Sequence, residues 1–199
     1  MGYYIRVLTP EAAPAPLSSL IDAAQQHDAV VQSEPGTPNW VQVTVTNAKQ
    51  QVVCFIERNE VSPESLAEGE VSEFRSEIAD CLPKSAANWL LSYLESVRTI
   101  YAFQLLSGTY AENGWEILGS VKAAIWSSVG GIIQADNEGF SNEDGYHILW
   151  QFSDDVDGAW WMAVLKDGRW ENFKMDLGSR SQRAAFMAGD IPAGVERAD

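Results

Sequence analysis

The sequence predicts an α+β fold, with mixed or antiparallel sheets and packed helices. Three observations carry that prediction. Short alternating runs rich in β-branched and aromatic residues recur along the chain. Stretches with apolar spacings of three and four fall between them. Proline, glycine and Asp-Gly punctuation separates the two kinds of segment. The chain has 199 residues, enough for one large domain or two small ones. Apolar residues make up 46% and aromatic residues 11%, including eight Trp, a composition that buries large areas and argues against disorder.

Residues 3–9 read as a first strand, and residues 10–16, with three prolines, as a loop. Leu17, Leu20, Ile21 and Ala24 recur with helical spacing up to His27. A short strand over 29–32 and a turn at Pro35-Gly36-Thr37-Pro38 follow. In residues 40–46, Val41, Val43 and Val45 make one apolar strand face. Residues 51–57 form a more buried strand, paired with the last one as a hairpin. Ser62 is placed to cap a helix, with Pro63 at its first position. That helix carries the stripe Ala67, Val71, Phe74, Ile78 and Cys81, and Pro83 ends it. A second helix presents Ala86, Trp89, Leu90, Tyr93, Leu94 and Val97 on one face, all expected to be buried.

Residues 99–106 leave neither face polar and predict a central strand. A loop over 107–113 leads to a helix over 115–129, with Ile117, Val121, Ala124, Ile125 and Val129 inward and Gly130-Gly131 at its end. A short strand covers 132–134, and residues 136–145 form a polar loop. Strands are predicted over 146–152, 159–165 and 170–177, the last two joined by an Asp167-Gly168 hairpin turn. Ser179 and Gln182 form a capping box for a final helix ending at Gly189. Residues from 192 onward read as a tail.

The order strand, helix, strand, strand, strand occurs before residue 62 and again from residue 99. The pentad Val30-Val31-Gln32-Ser33-Glu34 resembles Ile132-Ile133-Gln134-Ala135-Asp136. These echoes predict two similar βαβββ-type halves from an internal duplication. The halves would be residues 1–98, with a helical connector at about 62–97, and residues 99–199. One compact single domain is the alternative.

The formal charge is −15, from 28 acidic and 13 basic residues. Such a chain repels a nucleic-acid backbone or an anionic membrane and attracts a basic protein. The sequence therefore predicts a protein partner, a basic one, and neither nucleic acid nor membrane; a homodimer is compatible with it. Cys54 and Cys81 belong to no CxxC pair and read as buried thiols of a reducing compartment. The N-terminal residues lack the apolar core of a signal peptide, and no window is long and apolar enough to cross a membrane. A cytoplasmic location is the resulting expectation.

The segment from Gly130 to Phe152 is the most unusual. It places Asp136, Glu138, Glu143 and Asp144 near His147, and no Lys or Arg occurs between Lys122 and Lys166. The spacing fails a calcium loop: from Asp136 the fifth position is Phe140 and the sixth is Ser141. With only His27 and His147 in the chain, a multi-histidine zinc centre is excluded. No metal or other cofactor is expected, and no P-loop, GxGxxG or nucleophile elbow occurs.

The same loop suits a protein-binding face, with Asp136, Glu138, Asn142, Glu143 and Asp144 beside Phe140 and Tyr146. A bacterial immunity protein that masks a basic toxin has this charge pattern; the likeness is electrostatic, with no motif behind it. The alternative is a small hydrolase or metal-dependent enzyme that uses the acidic loop 136–144 and His147, the latter with Asp144 or Glu143 as an acid–base pair. Strand alternation sets His147 opposite Tyr146, Ile148, Trp150 and Phe152, a placement more typical of a structural histidine. A third reading is a structural globular domain.

Overall fold

The computed structural model describes residues 2–33 and 39–198. In chain order the elements begin with β1 (Tyr4–Thr9), α1 (Leu17–Gln25), β2 (Val30–Ser33), β3 (Gln42–Thr46) and β4 (Val52–Glu60). Next come α2 (Leu66–Ile78), α3 (Lys84–Leu94), β5 (Thr99–Leu105) and α4 (Gly114–Val129). The remainder are β6 (Ile132–Ala135), β7 (Gly139–Ser141), β8 (Ala159–Lys166), β9 (Arg169–Asp176), α5 (Arg180–Met187) and β10 (Glu196–Arg197). Antiparallel sheets packed with helices make this an α+β protein, as its sequence patterning indicates. The predicted turn at Pro35–Pro38 lies outside the described residues.

The chain forms two compact units, each discontinuous in sequence. One comprises Met1–Glu68 and Val97–Gly131, the other Gly69–Ser96 and Ile132–Asp199. This division differs from a cut between residues 98 and 99, and the physical reason is β5. That strand, expected to open a second copy of a repeat, pairs antiparallel with both β1 and β4. Within the first unit the strand order is β2-β3-β4-β5-β1, antiparallel throughout. β5 is central because Ile100, Tyr101 and Phe103 let both of its faces be covered.

The sheet's core is closed by a polar clasp. Trp40 Nε1 donates to the Ala15 carbonyl at 2.8 Å, and the Ala15 amide donates to Tyr101 Oη at 2.9 Å. Burying the Trp40 ring turns its neighbour outward: Val41, predicted on the apolar face, is exposed, while Val43 and Val45 are buried. Helices α1 and α4 meet, with His27 Nε2 2.7 Å from Ser120 Oγ. On α4 the buried residues are Gly114, Ile117, Leu118, Val121 and Ile125, so Leu118 takes the inward place expected of Ala124 and Val129. Gly130 and Gly131, at φ 65° and 106°, end the helix as predicted. Cys54 is fully buried in β4, and burial pushes its thiol up to about 12.

The helices α2 and α3 are present, with altered ends and faces. Ser65, not Ser62, caps α2, accepting from the Glu68 amide at 3.1 Å. Glu64 adopts φ 67°, a left-handed geometry that keeps Ser62 and Pro63 outside the helix. Its stripe Ala67, Val71, Phe74 and Ile78 is buried, while Cys81 beyond the helix is half-buried. On α3, Ala86, Ala87, Leu90 and Leu94 are buried, but Trp89 and Tyr93 are only half-buried. Their rings pack on each other, and the Trp89 ring meets Trp170 edge to face at 5.0 Å.

In the second unit, β6 pairs with β7, and β8 pairs with β9 through a turn with Asp167 at φ 50° and Gly168 at φ 78°. The predicted tail forms β10 instead, paired with β9 and held by ion pairs Lys174–Glu196 and Arg197–Glu171. Residues 146–152 are not a strand. Their only ladder contacts are single bridges at His147, because Trp150 N turns away to the Leu82 carbonyl at 2.8 Å. Trp150 and Phe152 then pack on the cluster of Met162, Val164, Phe173, Met175, Leu177 and Phe186. Ser179 caps α5 as expected, but the Gln182 side chain accepts from the Asp176 amide rather than closing the capping box.

Two glycines of α4 give a stability test of opposite signs. A Cβ at Gly114 would collide with the carbonyl oxygens of Gly108 and Thr109, whereas at Gly119 it would meet open space. Gly119→Ala is expected to stabilise the protein by about 0.5–1 kcal/mol through helix propensity. Gly114→Ala is expected to destabilise it. Urea unfolding of both variants checks this, and equal signs would refute the packing described.

Candidate functional site

The acidic segment 136–145, one loop by sequence, is two turns in the structure. Residues 136–138 turn between β6 and β7, with Asn137 at φ 63°. After the three residues of β7 a second turn occupies 142–145. At about 3.3 Å per strand residue, roughly 10 Å separates the two turns. Asp136 and Glu138 therefore lie at one end of β7, and Glu143 and Asp144 at the other.

The second turn is built by Asn142. Its side chain is fully buried, and Oδ1 accepts from the amides of Asp144 at 3.1 Å and Tyr146 at 2.9 Å. Asn142 thus shapes the backbone, leaving its Nδ2 buried without a partner. Glu143 lies close enough to Tyr93 for its charge to add to the burial that raises the phenol's pKa. Glu143 and Asp144 are exposed. Phe140, predicted on a binding face, is 1% exposed and meets the Phe74 ring edge to face at 5.4 Å. Tyr146 is half-buried with its ring 5.8 Å from Trp161.

His147 is held on every side. Its Nε2 lies 2.7 Å from the Glu138 carbonyl, which can only accept, so Nε2 carries the proton. Nδ1 then accepts from the Ser141 hydroxyl at 3.1 Å. The ring stacks on Phe152 at 5.0 Å and meets Trp160 edge on at 5.6 Å. Alternation had set His147 and Phe152 on opposite faces; the chain's departure from strand geometry brings them together. Neither Asp144 nor Glu143 partners the imidazole, which is 5% exposed with both nitrogens occupied. Burial lowers its pKa, only partly opposed by the Glu138 carbonyl and carboxylate. The geometry is that of a neutral structural histidine rather than an acid–base catalyst.

Beside this histidine lies an open depression of about 510 Å³, lined by Asn137, Glu138, Gln151, Phe152, Val156 and Trp160, with Ser153. Phe152 and Trp160 give the lining its aromatic part, and among the described residues Glu138 is its one ionisable member. The loop that follows carries Asp154, Asp155 and Asp157, all exposed. Arg183 fixes this loop from within: it donates to the carbonyls of Asp154 at 2.9 Å, Val156 at 2.6 Å and Leu177. The guanidinium also lies over the Trp150 ring, 5.0 Å from its centre.

Phe152, Asp154, Asp155, Val156, Asp157 and Trp160 were not among the residues singled out by sequence. Their signal was the run Asp154-Asp155-Val156-Asp157 set between Trp150-Gln151-Phe152 and Trp160-Trp161. Among the described residues no group of three His, Cys, Asp or Glu side chains converges to hold a metal ion. No helix among them is long and apolar enough to cross a membrane. No family model, curated protein or solved structure matches this chain.

The depressed pKa of His147 sets a pH test. The unfolded state binds its proton near pH 6.5, the folded state only at lower pH. The contribution of the neutral ring is therefore complete above about pH 6.5 and falls as pH drops toward the folded-state value. In urea unfolding, wild type is expected to exceed His147→Gln in stability at pH 7.5, with the gap narrowing toward pH 5. A constant gap would mean that His147 titrates alike in both states.

Proposed function

We propose that this chain is a protein-binding protein that engages a basic partner through an acidic face of its second unit, in the manner of an immunity protein that neutralises a basic toxin. One observation carries the reading: a depression lined by Phe152, Trp160 and Val156 also has Glu138 in its lining and the exposed carboxylates of Asp154, Asp155 and Asp157 on the adjoining loop. An apolar lining with acidic surroundings supplies both contact area and charge complementarity. The net charge of −15 supports the choice of a basic protein over bare nucleic acid.

The face differs from the loop that the sequence suggested. Asp136 and Glu138 stay with it, because their turn adjoins the depression, while Glu143 and Asp144 fall at the far end of β7 and serve as an internal control. Phe140, Asn142 and His147 support it from below as core, turn and clamp.

A partner is first captured from the native cell on the immobilised chain, and the test is its association rate against ionic strength. Neutralising Asp154, Asp155 and Asp157 to Asn is expected to slow association at low salt, with convergence on wild type as screening grows. Neutralising Glu143 and Asp144 should have a smaller effect. Equal rates for both variants at every salt concentration would remove the depression from the interface.

A further inference from the structure

We infer that the depression is a socket for one arginine side chain of the basic partner; the inference rests on the proposed function and names the chemistry of its central contact. Three features favour a guanidinium. First, Phe152 and Trp160 meet at 5.5 Å with their planes 68° apart, so the two rings form a corner in the lining. A flat, weakly hydrated cation stacks against such rings better than a compact ammonium does. Second, among the described residues no Lys, Arg or His lines the depression, and Glu138 is there to pair with a cation. A planar fork of donors matches a carboxylate at two points.

Third, the same aromatic cluster already holds a guanidinium. Arg183 stacks on Trp150, whose ring lies 5.4 Å from Phe152, and donates to backbone carbonyls of the 153–158 loop. Phe152 and Trp160 of this cluster line the depression, where no lining residue among those described supplies a cation. The ring behind Phe152 is His147, whose burial keeps it neutral, so the lining does not repel a positive charge.

The experiment uses the full chain and three blocked tripeptides, Gly-X-Gly, in which X is arginine, lysine or citrulline. Lysine keeps the charge without the plane, and citrulline keeps the plane without the charge. Binding is read at 150 mM salt, a chosen condition of roughly 8 Å screening length, from the indole N–H resonance of Trp160. The arginine peptide is expected to shift that resonance saturably. The lysine peptide should bind about threefold to tenfold more weakly, and citrulline weaker still. Glu138→Gln, which keeps the carbonyl that His147 needs, is expected to weaken the arginine peptide by about tenfold. No shift, equal binding of lysine and arginine, or no effect of Glu138→Gln would overturn the socket. The proposed function has its own readout: salt-dependent association that survives a silent Trp160 would sink the socket and spare the acidic face. A socket that binds arginine without any salt-dependent partner would do the reverse.

Discussion

The second unit depends on one buried histidine. His147 joins two sheet fragments through its backbone, receiving Ala163 N at 2.7 Å and donating to the Trp161 carbonyl at 3.1 Å, while bridging to Ser141 on the other side. Its side chain adds the grip on Glu138 and Ser141. Burial disfavours the imidazolium, so the neutral ring is preferred over a charged one. The turn at 136–138, the short strand β7 and the stacked Phe152 all take their positions from this residue. The clamp therefore ties the Glu138 turn to Phe152, two parts of the depression's lining.

Charge and burial are separated within a few residues around it. Phe140 is buried against Phe74, while Phe152 and Trp160 are half-buried and line the depression. The carboxylates of the 153–158 loop face solvent, and their mutual repulsion is tolerated because Arg183 holds the loop through its carbonyls. Loops that are both fixed and charged suit recognition, since little order has to be gained on binding.

Local chemistry was legible in the sequence wherever it decided the structure alone. Asp167-Gly168 fixes a hairpin because both residues adopt positive φ, and Ser179 caps α5 through its own hydroxyl. The stripe on α2 was legible from spacing. What escaped was set by distant partners. The alternation in residues 146–152 reads as a strand, yet Trp150 gives its amide to Leu82, so no ladder continues. β10 has only two residues and is defined by pairing with β9 and by two ion pairs. Ser62-Pro63 and Ser65 both fit the start of α2, and only the left-handed Glu64 between them selects the second. Of the site, its acidic character and its neighbourhood of His147 were legible. Its aromatic lining was not, because Phe152 reaches His147 only where the strand pattern breaks down.

The most direct test of this account is the protonation state of His147, read from the ¹⁵N chemical shifts of its ring in the labelled protein at neutral pH. A neutral imidazole with the proton on Nε2 and a bare, hydrogen-bonded Nδ1 is the result the clamp requires. The opposite tautomer would contradict the hydrogen bond to the Glu138 carbonyl, and a charged ring would contradict the neutral, buried clamp.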